Sequence, residues 1–513
     1  MAEELTESFG EEKSLGNEFV FSEVLYTAVR TLDSGEPISI DLKDLVAEID
    51  VFENIEKPYL TAKIVIIDDS GILSEAKVKG TELIKITIGR GSESEETDTS
   101  PYFTLDFKLV SIISQEKLGD RTELFVINCI SQHAYNDAAV KVSKSYTGKI
   151  EKICSDVLKN YLDVELLYMD RYISEEGSAQ GVMKVILPYI SPLESVSWLT
   201  ERATDAKGTP FFIWSTVWDQ MSDEGEGVYD GTVRLRLGNF LTMVEQGLIA
   251  TQGEDSPEST ARAPFIYSQA FTNEASTKGI EEQGRIIKNI KINNVENTLE
   301  MMRAGAVGST ISSLDTYTSL LQSKLFQAKQ LLESINSGTE NGDVLLGVLD
   351  QKDKITFGEE EKDAGAWSSR ERSVLTSYGT YQSINSYHDA PDGSSLLDKV
   401  RPSSIFSMLE RNKIDITVTG ITLLKEKLGV GDIIELVFKT SNTDNFSEVN
   451  SNTERSGYYL IQACRHIMKG SVHDAVLSVC KVAETKIVVV NNPYEDSFLD
   501  DADNDTDEGF IDF

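Results

Sequence analysis

A period of two constrains this chain more than any other feature. In YLTAKIVIID (59–68), Leu60, Ala62, Ile64 and Ile66 share one parity. A strand places residues of one parity on one face of a sheet, so this segment predicts a strand with one buried face. The same character runs through ISIDLKDLVAEIDVFENI, ELIKITIGR, YFTLDFKLVSII and TELFVINCISQ, all rich in Ile, Val, Thr and aromatics. Only GRGSESEETDTSP (89–101) interrupts them; it lacks apolar residues and predicts a solvated loop. A second run of strands starts at KIDITVTGITLLKEKLGVGDIIELVFKTS and ends with RSGYYLIQACRHIMKGSVHDAVLSVCKV (455–482). Turn residues at KGS (469–471) predict that this last stretch folds back as a hairpin.

Between the two runs the period changes. In TGKIEKICSDVLKNYL (147–162), Ile150, Ile153, Cys154, Val157, Leu158 and Leu162 fall at helical spacing, with Thr147 as the expected cap. SPLESVSWLTERATDAKG (191–208) carries Ser191 at the N-cap, Pro192 at the first helical position and Glu194 three residues on, with Gly208 expected to close the helix. FFIWSTVW and TVRLRL return to strand, as does GRIIKNIKINNV (284–295). SSLDTYTSLLQSKLFQAKQLLESI (312–335) predicts the longest helix, with Leu314, Tyr317, Leu321, Leu325, Ala328, Leu332 and Ile335 as its apolar stripe. Such a stripe packs on its own domain or on a partner subunit.

The expected fold is mainly β with α+β elements: two antiparallel β-barrels joined by a helix-containing domain and a helical/loop insertion. The divisions are 1–18, a flexible arm; 19–146, the first barrel; 147–283, an α+β domain; 284–404, a strand plus the insertion; 405–487, the second barrel; and 488–513, an acidic tail. At 513 residues the chain is too long for one compact core.

Charge and motifs narrow the function. Eighty-five Asp and Glu against 48 Lys and Arg give −37, a surface that repels nucleic acid and anionic membrane. Four cysteines do not make a disulfide framework, so buried thiols are expected. The acidic start MAEELTESFGEEK does not read as a signal peptide, and no apolar run is long enough to span a bilayer. Synthesis in the cytoplasm is expected, without membrane attachment.

The most pointed candidate for chemistry is Cys464, His466, His473 and Cys480. Cys464 and His466 share a strand face, but C-x-H-x6-H-x6-C matches no common zinc module. Cys480 lies over roughly 20 Å beyond His473 on an extended strand. The expectation is a core hairpin, with Tyr459, Ile461 and Ala463 on one face and Leu460 and Cys464 on the other. Elsewhere there is no G-x-S-x-G. YHDAPDG (387–393) reads as a turn, and DNDTDEG lacks the glycine position and closing Glu of a calcium loop. No catalytic, cofactor-binding or metal-binding residues are assigned, and no cofactor is expected. With 85 acids, chance carboxylate pairs leave a glycoside-hydrolase arrangement open.

Four segments in order resemble one family. They are LVAEIDVFENIEKPYLTAKIVIIDDSGILSEAKVKGTELIKITI (45–88), SKSYTGKIEKICSDVLKNYL (143–162), ILPYISPLESVSWLTERATDAKGTPFFIWST (186–216), and the pair GVGDIIELVF with GYYLIQACRHIMKGSVHDAVLSVCKV. Together they resemble the baseplate central hub protein of contractile-tailed, T-even-like bacteriophages. The resemblance spans most of residues 19–485. It implies two tail-tube-like barrels per chain and a homotrimer forming a pseudo-sixfold ring. It also implies a tail tube protein above, a trimeric spike below, neighbouring baseplate wedge proteins, and DNA passing through without specific binding. That places the chain in the virion tail as a structural, non-enzymatic part. Residues 336–400 and the acidic tail depart from the pattern. A carbohydrate-binding adhesin and a tail-associated cell-wall hydrolase stand as alternatives.

Overall fold

The fold was analysed in a computed structural model. It describes residues 19–483 except 32–36, 72–77, 79, 91–102, 120–121, 169–182, 202, 206, 219–232, 253–261, 269–283, 293–297, 316–318, 337–353, 358–359, 364–367, 377–396, 398–399, 411–412 and 440–454. The predicted N-terminal arm, the acidic tail with its DNDTDEG run, YHDAPDG and most of 336–400 lie outside the described residues.

The first unit contains β1 (Phe19–Thr31), β2 (Pro37–Asp41), β3 (Val46–Asn54), β4 (Thr61–Asp68), β5 (Leu83–Arg90), β6 (Phe103–Lys117) and β7 (Glu123–Ser131). Their order is β3-β4-β7-β6-β5-β1-β2, and every pairing is antiparallel. The parity read from β4 holds: Ala62, Ile64 and Ile66 are buried. They join Ile49, Ile86, Phe107 and Ile127 from the other strands in one core cluster.

The α+β region follows: α1 (Gln132–Asp137), β8 (Ser145–Gly148), α2 (Ile150–Leu162), β9 (Glu165–Tyr168), β10 (Met183–Ile186), α3 (Pro192–Thr200), β11 (Phe211–Trp214), β12 (Arg234–Asn239) and α4 (Phe240–Gln252). In α2, Ile150, Ile153, Cys154, Val157 and Leu158 are buried as their spacing predicts. Thr147 does not cap it. It lies in β8, and Lys149 occupies the N-cap without a side-chain bond. Ser191 caps α3, its Oγ accepting from the Glu194 N–H at 3.4 Å, with Pro192 in the first turn. That helix ends at Thr200, short of Gly208. Gly208 instead serves a tight turn at φ +86°, whose Asp205 carboxylate accepts from the Thr209 N–H and hydroxyl.

After β13 (Phe265–Ser268) and β14 (Asn289–Ile292) comes the insertion: α5 (Thr298–Ala304), β15 (Gly308–Asp315), β16 (Leu321–Gln327), α6 (Ala328–Asn336), β17 (Lys354–Phe357), β18 (Glu360–Asp363), β19 (Arg370–Thr376) and α7 (Arg401–Glu410). The predicted helix over 312–335 is therefore corrected. Its first part is β15 and β16, paired antiparallel from Gly308↔Gln327 to Leu314↔Leu321, and only 328 onwards is helical. Leu321 and Leu325 sit four apart, a spacing that also keeps one strand parity, so period alone could not separate the two states. Ala328, Leu332 and Ile335 are buried, whereas Leu314, Leu321 and Leu325 are exposed.

The chain then runs through β20 (Lys413–Thr419), α8 (Gly420–Glu426), β21 (Ile433–Lys439), β22 (Gly457–Lys469) and β23 (Val472–Ala483). The hairpin predicted at KGS is present, with Lys469 opposite Val472. These strands combine in the order β14-β20-β23-β22-β21-β13. The first unit reads β3-β4-β7-β6-β5-β1. In both, the strands enter in the same succession along the chain, so the arrangement is duplicated. The match extends to a bulge: register slips between Leu109 and Ser111 in β6, and between Ile461 and Ala463 in β22. Two differences remain. β13 pairs β21 in parallel where β1 pairs β5 antiparallel, and β2 has no counterpart.

This duplication relocates two segments. β13 and β14 fall within the stretches assigned from sequence to the α+β domain and the insertion, yet they pair with the second unit. β14 lies within GRIIKNIKINNV, which reads as a strand, but both segments are only four residues long and pair more than a hundred residues away, so no local pattern tells which unit they join.

Candidate functional site

The site that organises this molecule is the seam where the two units meet. β22 runs for 13 residues. Its first part, Gly457–Leu460, pairs with β21; its last part, Ala463–Lys469, pairs antiparallel with β3 from Ala463↔Asn54 to Lys469↔Glu48. Gln462 is the extra residue at the change of partner, and its carbonyl accepts from the Ile55 N–H at 2.9 Å. The bulge turns one strand from its own unit into the other, and both units become one 13-stranded sheet.

Charge and apolar contacts hold the seam. The Arg465 guanidinium donates to buried Asp50 Oδ2 at 2.8 Å and lies over the Phe52 ring at 5.6 Å. Lys469 Nζ lies 3.5 Å from Glu48. Met468, though on β22, packs into the first unit's core. Glu53 is 2 % exposed; one carboxylate oxygen accepts from the Val217 N–H at 2.8 Å and the other from the Val430 N–H at 3.4 Å. This side chain therefore ties β3 to the α+β region and to the loop before β21. Trp218 completes the tie, its indole N–H donating to Leu428 O at 2.9 Å. Gly429 and Gly431 leave room for the two tryptophans: a Cβ would stand 3.0 Å from Trp218 and 2.6 Å from Trp214, and Gly431 has φ +95°.

Three of the four residues singled out in the sequence meet here. Cys464 Sγ lies 3.3 Å from His466 Nε2, and His466 Nδ1 lies 3.1 Å from His473 Nε2. Glu53 is 3.5 Å from the same Nε2 of His466. His466 thus faces its partners from opposite sides of the ring, so the side chains form a relay rather than converging on a point. Among the described residues, no group of three or more His, Cys, Asp or Glu is placed to hold a metal ion. Cys480 stands apart, opposite Leu460 and Lys413, with its thiol directed at Leu460 O. Burial pushes the His473 imidazole well below its usual range, helped by His466 and Lys288. Burial raises the Cys464 thiol, with Glu53 adding to it, and lifts Cys480 to about 12.

A cavity of about 190 Å³ lies between the first unit and the α+β region, lined by Asp106, Ser131, His133 and Asp163 among others. His133 is committed structurally: its Nε2–H donates to Pro58 O at 2.9 Å, and burial lowers it to about 4. Burial raises Asp106, partly offset by Lys85. Sequence reasoning passed over Glu53, Trp218 and Gly431 because one Glu among many acids and one Gly among many carry no local mark. Only pairing between residues hundreds of positions apart reveals them.

Among the described residues no helix is long and apolar enough to cross a membrane. No family model matches the chain, and no curated protein matches it. Solved structures similar to it include a tail protein from Neisseria meningitidis MC58, at 10 % identity and a TM-score of 0.44, covering 90 % of this chain and 97 % of that one. A 43 kDa tail protein of prophage MuSo2 from Shewanella oneidensis aligns at 9 % identity and a TM-score of 0.44, covering 91 % and 98 %. An E. coli type VI secretion component with structural similarity to T4 bacteriophage tail proteins gp27 and gp5 aligns at 7 % identity and a TM-score of 0.34, covering 86 % and 76 %.

Proposed function

We propose that this chain is the structural hub of a phage tail baseplate. Three copies form a ring whose strand units match a six-fold tail tube on one side and seat a trimeric spike on the other. The observation that carries this is the duplicated strand order within one chain. A polypeptide holding two equivalent units side by side supplies six of them when repeated three times. A three-fold object can then face a six-fold one without breaking symmetry. The seam explains how two units keep a fixed relation: they share hydrogen bonds of one sheet rather than a flexible linker.

This role needs shape and area, not catalysis. Neighbouring wedge proteins are partners in it, and the ring forms part of a conduit through which DNA passes unbound. A chain of −37 suits such a passage because like charge does not retain the duplex. The sequence resemblance to central hub proteins supports the same role and a place in the virion tail.

Light scattering on the purified chain tests this. A mass three times that of one chain is expected, rising in proportion when a trimeric spike protein is added. A dimer, or a single chain at every concentration, overturns it.

A further inference from the structure

The seam inside one chain also shows how one chain meets the next. β6 is the counterpart of β22, and both change character at the same bulge. Beyond its bulge β22 pairs with β3. Beyond its own bulge β6 keeps β7 on one side, while β5 stops at Lys108, and nothing among the described residues pairs the other side. That stretch is uncovered: Val110, Ile112 and Ile113 are 49, 40 and 53 % exposed, and Leu118 is 58 % exposed. An apolar, unpaired edge of this length invites another strand. The counterpart of β3 is β14, which among the described residues pairs β20 alone and forms one end of the large sheet.

We infer that residues 115–118 of one copy pair antiparallel with β14 of the next, repeating between chains the seam already built within each. This rests on the trimeric reading. The register follows from the duplication. β4 and β20 align through their pairings with β7 and β23, which places Asp50 with Lys291 and Val51 with Ile292. A second bulge, between Ile112 and Ser114, shifts β6 by one, so that Gln115 matches His466 and Glu116 matches Ile467. Because His466 opposes Val51 and Ile467 opposes Asp50, Gln115 should oppose Ile292 and Glu116 should oppose Lys291. The charges at that pair are complementary. Within a chain, the exposed Glu116 carboxylate accepts from the Ser114 hydroxyl at 3.4 Å.

The test combines solution mass with cysteine pairing. The full chain carrying Glu116→Cys and Lys291→Cys is oxidised under mild conditions; its four native cysteines are buried and should stay silent. A ladder ending at a closed three-chain species is expected, with little product from a Glu116→Cys and Asn289→Cys control. E116K or K291E alone should weaken assembly about fivefold or more, and the double change E116K/K291E should restore it. A trimer that gives no cross-link overturns this edge pairing and leaves the trimeric reading intact. A chain that never associates overturns both. Thermal melts show whether the exposed substitutions leave the fold unchanged.

Discussion

Replacing Glu53 by alanine removes a side chain that ties β3 to the α+β region and to the loop before β21. Its carboxylate accepts a full-strength bond from Val217 N–H at 2.8 Å and a long one from Val430 N–H at 3.4 Å, with only 2 % of the residue exposed. A hydrogen bond to a charged acceptor contributes about 1.5–3 kcal/mol, and the donor left behind in a dry site costs about as much as it gained. Counting one strong and one weak bond, Glu53→Ala should cost about 3–4 kcal/mol. Glu53→Gln keeps one acceptor but sets an amide N–H against a backbone N–H, and should cost about 1–2 kcal/mol. Urea unfolding followed by tryptophan fluorescence suits the question, since Trp214 and Trp218 lie at the seam. The transition should move to lower urea in the order wild type, Gln, Ala. A loss below about 1 kcal/mol for the alanine variant would refute the assignment of Glu53 as the tie.

Three further outcomes follow. His133 is depressed to about 4, against an unfolded value of about 6.5. The unfolded chain therefore binds the proton first, and the stability this neutral imidazole contributes is complete above about pH 6.5 and lost as pH falls toward 4. His133→Gln should remove about 2–3 kcal/mol of the acid-dependent slope between pH 7 and 4.5; equal slopes in both proteins contradict the burial argument. Gly431→Ala combines φ +95° with a Cβ 2.6 Å from Trp214, and should cost at least about 2 kcal/mol in the same urea assay, whereas Gly71→Ala, with open space around it, should cost only its backbone strain. The four buried thiols, raised by desolvation, should not react with a thiol reagent at pH 8 until the protein unfolds. Reaction of the native protein would contradict their burial.

What could be read from sequence divides along the range of the interactions. Period-two segments such as 59–68, the capped helix at Pro192 and the hairpin at KGS are local, and the structure places them as expected. Ser312–Gln327 reads as helix because leucines four apart satisfy both periods, and the pairing with β19 that makes it strand lies beyond 60 intervening positions. The Cys464, His466 and His473 relay was half legible. Shared parity on β22 brings the first two together, but His473 joins them only through the register that the turn at 470–471 sets, with Met468 opposite His473 and His466 opposite Ala475, which puts His473 diagonally across from His466. The duplication was invisible as sequence likeness. Thr61–Ile67 and Lys413–Thr419 share an alternation of buried positions rather than residues, and burial pattern is what a strand position selects.

End-on electron-microscopy averages of the purified chain in its assembled state test the central claim most directly. Two equivalent units per chain, repeated threefold, predict a closed ring with six similar lobes around an open centre. Averages with three lobes, or an open chain of subunits that never closes, would contradict it.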